Sequence, residues 1–362
     1  MSRLLKNDPA QSDLFWRACR RNALVLVLWL LAPGLAAFAQ VCGTPGNDGP
    51  GGTISGVINT YYPGASTASA GATSISVGTP TGAITTIATG DLLLVMQMQD
   101  AAINATNTSS YGDGAAGLPV SGTTSLNNSG KFEFVTATGP VSGGAVPIRG
   151  SGSGNGLINT YTNANYISTQ GQRKFQVIRV PQYSSATLGS GLTAAPWNGS
   201  TGGVLAFDVT GLLNLGSASV HLDGMGFRGG GAQQLAGDKG GSSNDYATAA
   251  TKSYHGPKGE GIAGTPRYIY DPTSGVVTDT GVEGYPGGSM ARGAPGNAGG
   301  GGTEGDADGA VGAGSDGSAA SVGLRILCAG CNATDAERSV ARIGKGDRVR
   351  CAGSANCLVA EA

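Results

Sequence analysis

A chain of 362 residues is long enough for two ordinary domains. It carries 65 glycines and only 12% charged residues, against about 7% glycine and about 25% charge in an average soluble domain, and its formal net charge of -1 removes the electrostatic case for nucleic acid. Hydrophobic residues reach 40%, which excludes a wholly disordered chain; Thr, Ser, Asn and Gly suit short strands and tight turns better than helices.

The chain opens with a targeting signal. Arg17, Arg20 and Arg21 precede an apolar run from Ala23 to Ala32, which Pro33 and Gly34 break. Ala37 and Ala39 then satisfy the small-residue rule for cleavage, so 1–39 reads as a secretory signal peptide and Gln40 as the first mature residue. The apolar run is well short of the roughly 20 residues that a membrane-spanning helix needs. The membrane is therefore expected to matter only through export, by the general secretory route to the outside or the cell surface. Val41 is not small, so Cys42 does not read as a lipid-attachment cysteine.

Residues 40–52 read as a glycine and proline linker, and 53–200 as a β domain of sandwich or barrel-like form. Its strand signals are Ala72–Val77, Ile84–Ile87, Leu92–Gln99, Lys131–Thr136 and Phe175–Val180, the last stopped by Pro181. Leu92–Gln99 is apolar in its first half and alternates in its second, as expected of a buried strand reaching solvent. The string Gly56–Tyr61 (GVINTY) returns as Gly156–Tyr161 (GLINTY), and one short match reads as two similar strand starts. From 201 to 229, Val204–Val209, Leu212–Leu215 and Ser219–Leu222 follow at short spacing with glycine corners. They fit rungs of a parallel β-helix or a meander equally well. Residues 230–320 form a glycine-rich low-complexity extension, expected to stay mobile unless its backbones pack directly on one another. The tail, 321–362, is atypical: glycine runs cease, Cys and Arg accumulate, and no strand or helix period emerges. A reading frame lost after about Asp308 would produce that shift. The fold class expected is all-β throughout.

Chemistry is sparse. Cys328, Cys331, Cys351 and Cys357 form the one metal-like group, but the second pair is spaced too widely for zinc. Exported thiols favour disulfides, so these four are the disulfide candidates, and no metal or cofactor is expected. Gly305–Gly309 with Asp316 lacks the repeated alternate-residue ligands of a calcium β-roll. His221, Asp223 and Arg228 lie close in sequence, with His221 and Asp223 expected on one strand face. They are the candidate carbohydrate site. A turn aspartate before Gly224 is the plainer interpretation.

Several blocks occur in order: GDLLLVMQMQDAAIN, QVIRVPQYSSATL, GGVLAFDVTGLLNLGSASVHLDGMGFRGGG, HGPKGEGIAGTPRY and GYPGGSMARGAPGNAGGGG. Through them the chain resembles, from about residue 53 to 303, the amino-terminal region of large exported bacterial surface proteins, adhesin-like and often followed by conserved immunoglobulin-like repeats. The resemblance implies a secreted or cell-surface structural or adhesion protein without catalysis, and supplies no catalytic residues. The partner implied is an extracellular ligand, a glycan or a cell-surface protein. The alternative is a carbohydrate-binding or carbohydrate-cleaving β-helix protein.

Overall fold

The computed structural model describes residues 43–112, 123–216, 220–231, 244–271, 274–296 and 298–303, together with the backbone of four later strands. The chain divides into two compact units between Ala39 and Gln40, and all of these residues belong to the second. The architecture is all-β, with a curled, barrel-like antiparallel sheet.

That sheet has seven strands. In chain order they are β2 (Thr60–Pro63), β3 (Ser74–Ser76), β4 (Thr81–Gly82), β5 (Leu92–Gln99), β6 (Phe132–Ala137), β7 (Ala145–Arg149) and β8 (Lys174–Val180), after β1 (Pro50–Ile54). They lie in the order β3-β7-β6-β5-β8-β2-β4. Central β5 pairs with both β6 and β8, Leu93 standing opposite Val135 on one side and Arg179 on the other. An antiparallel sheet commonly leaves one face to water; here both faces are covered. Leu93, Val95, Val135, Val146, Phe175 and Val177 fill the inner face. Leu92, Leu94, Ile178 and Val180 fill the other, against Val204 and Ala206. At about 1.5–3 kcal/mol for each fully buried large aliphatic side chain, these two layers are the main source of stability.

Three details differ from expectation. Gln97 and Gln99, taken as the solvent end of β5, are buried. The Gln97 amide donates to the carbonyls of Gln99, Thr162 and Lys174, so it joins three backbones inside. Ile84–Ile87 forms no strand, since Ile84 takes a positive φ of 57° and faces solvent while Ile87 is buried. The GVINTY copies also diverge: Tyr61 lies in β2, whereas Gly156–Tyr161 starts no strand.

Parallel pairing decides between rungs and meander. β9 (Gln182–Tyr183) and β10 (Ser185–Leu188) form one bent coil, and β11 (Leu205–Val209) with β12 (Leu212–Asn214) forms the next. β9 pairs parallel with β11 and β10 with β12, while β1 lies parallel on the far side of β10. The corners stack too: Ser184 N–H donates to the Gly49 carbonyl at 2.8 Å and Thr210 N–H to the Tyr183 carbonyl at 2.9 Å. Ile54, Leu188, Leu192, Leu205, Phe207 and Leu213 fill the interior. The first coil is therefore built from what reads as linker, and the seven-stranded sheet is inserted between the first coil and the second. Val220–Leu222, the described part of the third predicted rung strand, is not a strand.

The glycine-rich tract, where described, is packed. Ala247, Ala263 and Tyr285 share a core with Ala101, Ile103 and Tyr111 of the loop after β5. Apart from the hairpin of β13 (Tyr268–Asp271) and β14 (Val276–Asp279), its segments are held without extended strand ladders. Gly256 N–H donates to the Gly302 carbonyl and Gly259 N–H to the Gly299 carbonyl, both at 2.9 Å, so two antiparallel stretches meet at intervals of three residues. Ala291 N–H donates to the Gly256 carbonyl on another side. A Cβ added at Gly301 would overlap the Gly256 carbonyl, and one at Gly300 the Arg292 carbonyl, so backbones touch where side chains would otherwise intervene. The backbone of the tail contributes β15 (Arg325–Gly330), β16 (Val340–Ala341), β17 (Arg348–Arg350) and β18 (Ala355–Glu361), with β17 antiparallel to β12 and β18 antiparallel to β11.

Candidate functional site

The sequence places His221, Asp223 and Arg228 together; the structure keeps His221 beside Asp223 and commits Arg228 to Glu260. His221 Nδ1 and Asp223 Oδ2 lie 3.6 Å apart with side chains 72% and 85% exposed. Asp223 and Gly224 form a turn, Gly224 taking a φ of 74°. An exposed pair at that distance is worth little. Arg228 is turned to another task. Its guanidinium meets the Glu260 carboxylate at two points, Nε to Oε2 at 2.9 Å and Nη2 to Oε1 at 3.0 Å, and its backbone N–H donates to Oε2 at 3.1 Å.

Glu260 is the hub of a buried polar network. The Thr265 hydroxyl donates to its Oε1 at 2.5 Å and accepts from the side-chain amides of Gln99 and Gln172. The Gln99 amide also donates to the Gly261 carbonyl. Arg228, in the segment after β12, and Thr265 of the glycine-rich tract thus meet at one carboxylate, and the Thr265 hydroxyl ties the end of β5 to it. Low dielectric strengthens each of these bonds, and full satisfaction keeps the buried charge tolerable.

Lys258 is the second such centre. It is wholly buried, and its ammonium donates to the carbonyls of Tyr246 at 2.6 Å, Ala291 at 3.1 Å and Gly293, with the Tyr111 ring centroid 4.4 Å away. Ala291 holds a positive φ of 80° while presenting that carbonyl. Burial pushes the Lys258 pKa well below the usual lysine range. Carbonyl dipoles and a ring face hold the cation here.

Arg179 is the third. It bridges Asp91, through Nε to Oδ2 at 2.7 Å and Nη2 to Oδ1 at 3.1 Å, and Asp48, at 2.5 Å. Asp48 in turn accepts from Gln182 N–H at 2.7 Å. The guanidinium therefore fastens Asp48 of the first coil to the sheet, and the Asp48 carboxylate fastens that coil to Gln182 of β9.

Asp208 on β11 stands apart from these. It is buried, and among the described residues neither carboxylate oxygen has a hydrogen-bond partner. Burial pushes its pKa up to about 6; the Val209 amide and the Gln182 side chain oppose that rise without reaching hydrogen-bond geometry. The signal for it lay in the string VLAFDV, where one ionisable residue interrupts a run with the spacing of a core strand. Glu260 and Lys258 carried a fainter signal, as two opposite charges one residue apart in a glycine-rich stretch.

Ala37, Ala39, Gln40, Gly305–Gly309 and Asp316 lie outside the described residues, as do Cys331 and Cys351. In backbone register Cys328 of β15 stands opposite Cys357 of β18. Among the described residues, no group of three or more metal-type side chains gathers at one point, and no helix is long and apolar enough to cross a membrane. A scan with protein-family models finds no match, and a search of curated proteins finds none either.

Proposed function

We propose that this protein is an exported structural or adhesion protein of the cell surface or the secreted fraction, acting by display and contact and not by catalysis. The secretory layout of residues 1–39 and the resemblance over 53–303 support the reading. The observation that carries it is the use made of charge. Arg179, Arg228, Glu260 and Lys258 each fasten separate stretches of main chain together, as a scaffold requires. Such cross-linking keeps a surface rigid outside the cell, where a display protein must hold its shape.

The test is made on cells producing the full chain. Tagged protein should appear on the cell surface or in the medium with Gln40 as its first residue, and its deletion should reduce attachment to coated surfaces. Protein retained inside cells with Met1 intact, or unchanged attachment, would overturn the proposal.

The parallel coils, with the exposed His221–Asp223 pair on the segment after β12, favour a second reading as a carbohydrate-binding or carbohydrate-cleaving protein. Polysaccharide turnover that His221→Ala abolishes would establish it, and absence of turnover across neutral and acidic polysaccharides would remove the cleaving form.

A further inference from the structure

The adhesion reading leaves the contacting surface and its ligand open, and one face of the glycine-rich tract has the chemistry to supply both. Arg292 is exposed and lies over the Tyr246 ring, its guanidinium carbon 4.3 Å from the centroid. Its Nη2 donates to the Tyr246 hydroxyl at 2.6 Å. Among the described residues, no hydrogen bond engages Nε or Nη1 and Arg292 belongs to no ion pair. The Tyr246 hydroxyl keeps its own proton free to donate. A guanidinium edge and a phenol beside it form a donor set that fits a carboxylate.

The platform beneath is rigid. Tyr246 N–H donates to Asn107 Oδ1 at 2.6 Å, and its carbonyl accepts from Lys258 and from Gly293 N–H. The neighbouring Asp245 meets His255 Nε2 at 3.0 Å and Asn107 Nδ2 at 2.9 Å, which engages its carboxylate within the protein. His255 packs edge-on against the Tyr254 ring, centroids 4.6 Å apart, and Lys252 lies 5.6 Å from the centroid of that same ring. Two half-buried tyrosines, each with an exposed cation beside it, thus follow one another along a continuous line of contacts. Holding Arg292 by ring and hydroxyl lowers the ordering cost of binding.

The surroundings narrow the partner. The exposed large apolar side chains of the described tract, Tyr270, Val276, Val277 and Val282, belong to the β13–β14 hairpin and the residues just after it, and none falls within 244–263 or 286–303. These two segments themselves carry no apolar anchor of the kind a protein interface or a membrane surface uses. Two cations in a chain of net charge -1 are too few for nucleic acid. Shallow tyrosines with spaced cations suit a polymer of sugar rings bearing carboxylates at intervals.

We propose that the Tyr246–Arg292 and Tyr254–Lys252 pairs bind a carboxylated polysaccharide, with a uronate on Arg292 and the Tyr246 hydroxyl and a second on Lys252. This rests on the adhesion reading for its biological setting and on the geometry for its chemistry.

The experiment uses the intact exported protein on immobilised polygalacturonate, with dextran and inorganic polyphosphate as comparison polymers. Retention is expected on polygalacturonate, weakening as salt is raised, and not on dextran. Losing charge-assisted bonds of about 1.5–3 kcal/mol should make R292Q bind about tenfold more weakly or worse, with an unchanged melting temperature. Lys252→Gln should show a smaller loss. If R292Q melts early, Tyr246→Phe replaces it: the ring stays, the hydroxyl that positions the guanidinium goes, and affinity should still fall. Binding by R292Q and Tyr246→Phe within twofold of wild type would overturn the site, as would absence of polygalacturonate binding or equal retention on polyphosphate. Cells that display the protein and adhere to no surface would overturn the adhesion reading instead, whatever the polymer assay shows.

Discussion

The seven-stranded sheet and the glycine-rich tract are both packed, by opposite means. In the sheet, side chains separate the backbones: Leu93, Val135 and Val177 fill one layer, Leu94 and Ile178 another. In the tract, backbones meet with no side chain between them, as at Gly256 and Gly301, and a few charged side chains reach across to bind carbonyls. Burial of apolar area drives the first. Hydrogen bonding with the exclusion of water sustains the second, because every buried amide left unpaired costs free energy. Glycine-rich composition is therefore a statement about how closely chains approach, and becomes disorder only when no second chain is there to approach.

The largest effect is expected at Glu260, which holds the glycine-rich tract by charge. Replacing it with Ala leaves the largely buried Arg228 without its carboxylate and strips the Thr265 network, at an expected cost of about 3–5 kcal/mol. Limited proteolysis should then cut within 244–303 first, while the sheet segment 123–180 persists. Simultaneous loss of both regions would show that they unfold as one unit.

Leu93→Ala weakens the sheet instead. It opens a cavity in the inner layer and should cost about 2–5 kcal/mol in denaturant unfolding. If the tract depends on the sheet for its docking surface at Ala101 and Ile103, it should become protease-sensitive in this variant as well.

Asp208 gives a pH-dependent test of the coils. Its folded pKa lies above the ordinary carboxyl value, raised from 3.8 to about 6, so the native state holds the proton more tightly than the unfolded chain. Stability from this group is present below about pH 4 and is lost as pH rises through about 6. A shift of about 2 units corresponds to about 3 kcal/mol. Asp208→Asn should therefore melt higher than wild type at pH 8 and close to it at pH 4; equal melting at both pH values would show that the carboxylate is solvated.

The smallest effect is expected at His221→Ala. With both partners exposed, the His221–Asp223 contact should change stability by less than about 0.5 kcal/mol in thermal melts.

Much of the sheet was legible. Leu92–Gln99, Phe175–Val180 and Val204–Val209 became β5, β8 and β11 nearly residue for residue, because β-branched and aliphatic runs bounded by Gly and Pro allow little else. Gln97 and Gln99 misled, since alternation reports polarity and not exposure, and an amide can satisfy itself inside. Ile84–Ile87 misled for a related reason: strand propensity was present, but Thr85 N–H was taken by the Thr60 hydroxyl and no ladder formed.

Composition and local pattern were enough for the all-β class and the main strands, because these depend on neighbours within a few residues. Long-range contacts were needed to see that Gly49, Ser184 and the Thr210–Gly211 corner stack as successive turns of one set of coils, that the sheet is inserted between those turns, and that Arg228 serves Glu260 and not His221. The physical reason is separation along the chain. Parallel pairing, a carbonyl cage around Lys258 and a two-point ion pair are contacts between residues far apart in sequence, and no local period carries the identity of a distant partner.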